Sequence, residues 1–119
     1  MNIELIRSTC LSFQFTEEDF PFGEENWVYK VGGKIFCIIA ATEIPLRLSL
    51  KAPAEMVLEL REQFAGIQPP SYLNKKYWNS ISIDGSFTWK ELHSWIEVSY
   101  KEVVKGLPKS VQSQIHSKK

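Results

Sequence analysis

Residues 27–51, WVYKVGGKIFCIIAATEIPLRLSLK, decide the fold. Trp27–Val31 and Lys34–Ala41 are rich in aromatic and β-branched residues, which pack well on a pleated surface. Between them Gly32-Gly33 supplies the positive φ angles that a two-residue hairpin turn requires. Leu46–Lys51 then alternates, with Leu46, Leu48 and Leu50 on one side and Arg47, Ser49 and Lys51 on the other. That period of two predicts a third antiparallel strand with one wet face.

Upstream, Ile3, Ile6, Cys10 and Phe13 recur at helical spacing behind Asn2, an N-cap residue type, so residues 3–12 read as an amphipathic helix. Residues 16–26 read as a loop, because Glu17, Glu18, Asp19, Glu24 and Glu25 repel one another and Pro21 and Gly23 interrupt regular structure. Downstream, Pro53 suits the first turn of a second helix whose buried stripe is Val57, Leu60 and Phe64, with Gly66 as its stop. Its outer face, Glu55, Glu59 and Glu62, is acidic. Pro69-Pro70 keeps the next stretch extended, and residues 77–83 read as a strand with Ile81 and Ile83 inward, paired by a short strand around Ser71–Leu73.

Asp84-Gly85 is a turn, and Thr88-Trp89-Lys90-Glu91 matches a capping box, so a long helix begins there. Leu92, Ile96, Ser99, Val103 and Leu107 form its core stripe, Glu97 and Lys101 pair across one turn, and Gly106-Leu107-Pro108 stops it. A short terminal helix precedes a basic tail. Grouped antiparallel strands with helices around them predict an α+β two-layer sandwich of order α-β(3)-α-β(2)-α, one domain over residues 1–119. Helices cover one face of the sheet and leave the other open.

At 119 residues, 44% of them hydrophobic, the chain can bury roughly two thirds of its unfolded surface in one core. Net charge is +0, so no overall positive field draws it to nucleic acid or an anionic membrane. The charge is uneven all the same: residues 1–66 carry six Lys/Arg against ten Asp/Glu, and residues 67–119 carry eight against four. Any polyanion site must therefore be a local patch. The longest apolar run, Ile35–Ala41, is too short to span a bilayer and no basic-then-apolar leader precedes it, so the expectation is a cytoplasmic protein without a membrane partner.

Cys10 and Cys37 sit in apolar stretches away from any C-x-x-C pattern and read as buried free thiols. His93 and His116 lack a second ligand at metal spacing, which leaves His93 on a helix surface and His116 in a tail. Gly32-Gly33-Lys34 lacks the spacing and the following helix of a phosphate loop. With no nucleophile–base pattern either, the chain reads as a binding protein, not an enzyme, with no cofactor and no metal.

Strand alternation places Lys30, Lys34, Arg47, Ser49, Lys51, Trp78, Ser80 and Ser82 on the polar side of the sheet. Such a surface can neutralise phosphates, donate hydrogen bonds and stack on a base. It can equally be a solvent face whose lysines discourage edge aggregation.

The segment Tyr72-Leu73-Asn74-Lys75-Lys76-Tyr77-Trp78, then Ile83-Asp84-Gly85-Ser86 and Ser99-Tyr100, resembles the signature of the MmcQ/YjbR family. Gly33-Lys34-Ile35-Phe36 and Leu48-Ser49-Leu50-Lys51-Ala52-Pro53-Ala54-Glu55 resemble it as well, so the likeness covers nearly the whole chain. It implies a YjbR-like fold, related in architecture to type III secretion chaperones and CyaY-like domains, and DNA binding with a double-wing arrangement. On that implication Lys34, Arg47, Lys51, Lys75, Lys76 and Trp78 are the DNA-binding candidates, and Asn74, Asp84, Gly85 and Tyr100 belong to the structural motif. Tyr77 departs from the pattern, since relatives commonly carry histidine there. The alternative is a module that docks another protein or a second copy of itself.

Overall fold

A computed structural model describes residues 1–117. Its elements in chain order are α1 (Ile3–Ser12), β1 (Thr16–Asp19), β2 (Asn26–Val31), β3 (Lys34–Ala40), β4 (Arg47–Lys51), α2 (Ala54–Gln63), β5 (Ile67–Gln68), β6 (Trp78–Ser82), α3 (Trp89–Lys105) and α4 (Lys109–Ser117). All neighbouring strands are antiparallel, in the spatial order β1-β2-β3-β4-β6-β5. The fold is α+β, as the sequence predicts.

Gly32 and Gly33 take φ values of 57° and 80° and close the β2–β3 hairpin. Beyond that turn Lys30 faces Ile35 while Tyr29 faces Cys37, so β3 has one residue too many at Phe36. Such a bulge lets two successive side chains turn inward. Phe36 and Cys37 are accordingly both fully buried. Phe36 meets Tyr100 of α3 edge-on at 5.4 Å, and Tyr100 stacks on Phe13 at 4.7 Å, which ties the end of α1 to α3 through the bulge.

Register fixes the two faces of the sheet. Cys37, Ile39, Leu48, Leu50 and Ile81 are buried on the helix side, in one core with Leu92, Ile96 and Val103 of α3. Arg47, Ser49 and Lys51 alternate with the leucines of β4 and pair with Ser82, Ser80 and Trp78 of β6 on the other side. α3 begins at the expected capping box, in which Thr88 accepts from the Glu91 amide and Glu91 from the Thr88 amide. Asn2 caps α1 through the Leu5 amide.

Ser99 of α3 is fully buried, and its hydroxyl sits where the β3–β4 ladder stops. It donates to the Phe36 carbonyl and accepts from the Lys51 amide at 2.8 Å. Those are the two backbone groups that the next rung of the ladder would involve. The hydroxyl replaces that rung and pins α3 to both strands at once.

Several sequence expectations give way. Residues 16–26 hold β1, because the repulsion counted against a strand is relieved in three dimensions: Glu18 pairs with Arg7 at 2.7 Å and Asp19 with Lys30 at 2.9 Å. The strand beside β6 is Ile67–Gln68, not Ser71–Leu73, and a long connection, residues 69–77, therefore stands between the two strands in place of a tight hairpin turn. α2 ends at Gln63, three residues short of Gly66, and Phe64 leaves the helix to pack against Phe87 and Trp95. Gly66 serves closeness instead, since a Cβ there would run into the Asp84 carboxylate. His116 belongs to α4 and is exposed. Of the expected basic tail, Lys118 and Lys119 lie outside the described residues.

Ser99→Ala leaves two buried backbone groups unpaired and is expected to cost about 2 to 4 kcal/mol. Thr88→Ala loses a cap at the surface and is expected to cost about 1 kcal/mol. Urea denaturation of both variants checks the difference, and equal losses would remove the special role of Ser99.

Candidate functional site

The end of the sheet that carries the Gly32-Gly33 turn is the region of interest. β3 starts there, β4 ends there at Lys51, and β6 starts there at Trp78, directly across from Lys51. The connection from β5 to β6, residues 69–77, folds over the same end. Chain topology thus collects Lys34, Lys51 and the 75–78 segment with Lys75, Lys76 and Trp78 from three separate stretches of sequence.

The turn before Trp78 is built by side chains that hold backbone. Asn74 accepts from the Lys76 amide through its Oδ1 at 2.9 Å, and its own carbonyl accepts from the Tyr77 and Trp78 amides. Asn74 is therefore an Asx-turn residue, a common use of that side chain. Arg61 of α2 reaches over from the helix layer. Its guanidinium donates to the carbonyls of Lys75 and Trp78 and, at 2.7 Å, to Oδ1 of Asn79. Asn79, nearly fully buried on β6, passes the connection on by donating to the Val57 carbonyl at 3.1 Å. One cation is thus spent on holding the turn that displays two others.

Among the described residues Lys34, Lys51, Lys75 and Lys76 take part in no ion pair. Lys75 and Lys76 are exposed, and the Lys76 ammonium stands 5.4 Å from the centre of the Tyr77 ring. Tyr72 is 99% exposed and Tyr77 38% exposed in the same connection. The open face behind them is lined by the Ser49–Ser80 pair, one row further along the strands. Unpaired ammonium groups and uncovered rings therefore stand side by side.

Other members of the expected surface fall away. Lys34 shares the end but pairs with Val31, whose register line belongs to the helix side, so it lies at the tip of the hairpin and not on the open face. Arg47 is on the open face at the far end of β4, about 13 Å from Lys51 along the strand, and its guanidinium is bound to Glu43 at 2.8 Å. Lys30 is held by Asp19. Asp84 and Gly85 form the turn after β6 at the opposite end, where Asp84 accepts from the Ser86 hydroxyl and amide, contacts that hold its carboxyl below the usual range. Tyr100 donates to the Gln14 carbonyl at 2.7 Å, and burial raises its phenol pKa. These three are architectural. Arg61 and Asn79 were not legible as a pair in the sequence: an arginine on an acidic helix and an asparagine inside a strand give no local signal.

Away from that end, an open groove of about 500 Å³ is lined by Arg7, Glu18, Phe20, Glu24 and Trp27. Arg7 and Glu18 within it bind each other. Glu18 accepts two hydrogen bonds from Arg7 and one from the Tyr29 hydroxyl, and the bond from Arg7 is the main reason its carboxyl is held below the usual range. Cys10 and Cys37 are free and buried as expected, and desolvation followed by the contact with Cys10 pushes the Cys37 thiol up. Among the described residues no group of three His, Cys, Asp or Glu side chains is placed to hold a metal ion, and no helix is long and apolar enough to cross a membrane.

An antiparallel sheet with helices packed on one side and a cationic, aromatic turn at one end defines the class: an α+β sandwich. Within it the chain belongs to the YjbR family, whose model matches residues 11–102. It is 30% identical to the Escherichia coli O157:H7 protein YbdF over 94% of this chain and 92% of that protein. It is also 30% identical to YjbR of Escherichia coli strain K12 over 91% of this chain and 92% of that protein. The crystal structure of a Deinococcus radiodurans protein of the DUF419 domain type superposes with a TM-score of 0.90 at 33% identity, covering 97% of this chain and 88% of that one. A Pseudomonas syringae crystal structure gives 0.70 at 25% identity, covering 83% and 96%.

Arg61→Ala is expected to loosen the 74–78 turn while leaving the fold in place, because three hydrogen bonds to the turn and to Asn79 are lost together. Amide hydrogen exchange at Tyr77 and Trp78 should quicken by about ten-fold or more. Unchanged exchange there would show that the turn stands without the arginine.

Proposed function

We propose that the protein is a cytoplasmic DNA-binding protein, not an enzyme, that holds phosphates with Lys51, Lys75 and Lys76 at the open end of its sheet. What supports this reading is a single observation: two separate segments, the end of β4 with Lys51 and the turn with the adjacent Lys75 and Lys76, lie at one end of the sheet beside Trp78, and none of the three lysines has a carboxylate partner among the described residues. An ammonium already paired gains little from a phosphate, whereas a free one releases a condensed counterion from the nucleic acid when it binds. Ser49 and Ser80 add hydroxyl donors on the same face.

The balance of charge sets the scale. At net zero the chain has no long-range field to accelerate encounter, and carboxylates elsewhere are repelled by the polyanion. Binding by so small a patch is therefore modest and strongly weakened by salt. Lys34 lies within reach of the same end and Arg47 does not, so a site of three to four phosphate contacts follows from the placement.

Fluorescence anisotropy with labelled DNA, supplied both as native and as heat-denatured strands, tests the reading. The logarithm of the binding constant should fall with the logarithm of salt concentration at a slope of about −2 to −3, as three contacts give. The K51E/K75E/K76E variant should lose binding altogether. No binding of either form at low salt, or binding that the triple variant retains, would refute the proposal.

A further inference from the structure

We infer that the nucleic acid this surface takes is single-stranded, its bases stacking on Tyr72, Tyr77 and Trp78 while its backbone follows Lys75, Lys76 and Lys51. The inference rests on the proposed DNA-binding reading and narrows it.

Three observations carry it. The aromatic rings lie in the open. Tyr72 is 99% exposed and Tyr77 38% exposed, although rings of that size usually find cover in a folded chain. They belong to the same connection as Lys75 and Lys76 and end at Trp78, which is half-buried on the open face. A surface that only neutralises a duplex has no use for uncovered rings, since paired bases are already stacked on one another. Unpaired bases offer a π-face to any aromatic side chain, and this is how sequence-tolerant single-strand binders hold them.

Shape argues against insertion of this face into a duplex groove. Six strands side by side make a face about 24 Å wide. The major groove of a duplex is about 12 Å wide and admits one helix or a two-stranded ribbon. α2 and α3 pack on the covered side of the sheet and cannot enter a groove from this face. A single strand needs no groove, because it can follow a surface with its phosphates on one line and its bases on another.

Charge points the same way. Lys76 already stands 5.4 Å over the Tyr77 ring, so the cation and the ring are held as a unit. A base stacked on Tyr77 would bring its own phosphate to that ammonium. Arg61 and Asn74 fix the backbone beneath them, which lowers the ordering cost of binding.

Anisotropy titrations at low salt with a labelled oligothymidine and with a blunt duplex of the same length decide the matter. Oligothymidine should bind about ten-fold or more tightly than the duplex. The Y72A/Y77A variant, whose lost side chains are exposed, should keep its melting temperature yet bind oligothymidine at least about five-fold more weakly, with duplex binding unchanged. Duplex binding as tight as oligothymidine binding, or a Y72A/Y77A variant that binds oligothymidine like the parent, overturns the single-strand inference and leaves DNA binding standing. Absence of binding to both probes overturns the two together.

Discussion

The position of one buried hydroxyl governs the layout of the molecule. A bulge at Phe36 lets β3 drive two consecutive side chains into the core, but it also ends the β3–β4 ladder one rung early. Without a partner, the Phe36 carbonyl and Lys51 amide would be buried polar groups at a cost of about 1 to 3 kcal/mol each. Ser99 of α3 satisfies both. The same contact therefore seats the long helix, closes the core and fixes where β4 stops. Lys51 is the residue at that stop, and Trp78 is its partner across the sheet.

A second polar pin works from the same helix layer, through α2. Arg61 and Asn79 join α2 to β6 and to the turn that precedes it, using hydrogen bonds where apolar packing could not hold exposed backbone. The two pins converge on neighbouring strands, β4 and β6. Their joint effect is a rigid floor beneath a short, strongly exposed loop. Rigid support under an exposed loop is the usual arrangement of binding loops, because order supplied by the scaffold is order that the ligand does not have to supply.

Much of the fold is legible in residue order because its signals are local. Gly32-Gly33 requires a hairpin whatever surrounds it, Leu46 to Lys51 alternate by themselves, and Thr88 to Glu91 cap a helix through atoms within one turn. What escapes is decided at long range. β1 reads as a repelling acidic loop until Arg7 and Lys30, 11 residues away from Glu18 and Asp19, neutralise it. The end of α2 is set by the pull of Phe87 and Trp95 on Phe64, which no helical periodicity contains. For the candidate surface, alternation correctly assigns Arg47, Ser49 and Lys51 to one face, yet it is blind to ion pairs. Only coordinates separate Lys51, which is unpaired among the described residues, from Arg47 and Lys30, which are bound to Glu43 and Asp19.

The proposed function comes down to a location: cations and rings at the end of β4 and β6, and not the Arg7–Glu18 groove on the opposite flank. Amide chemical-shift mapping during titration with oligothymidine measures that location directly. The expected result is a contiguous set of shifts at Ser49, Lys51, residues 72–78 and Ser80, with residues lining the groove unmoved. Shifts concentrated at Arg7, Glu18, Phe20 and Trp27, or spread evenly over the chain, would contradict it.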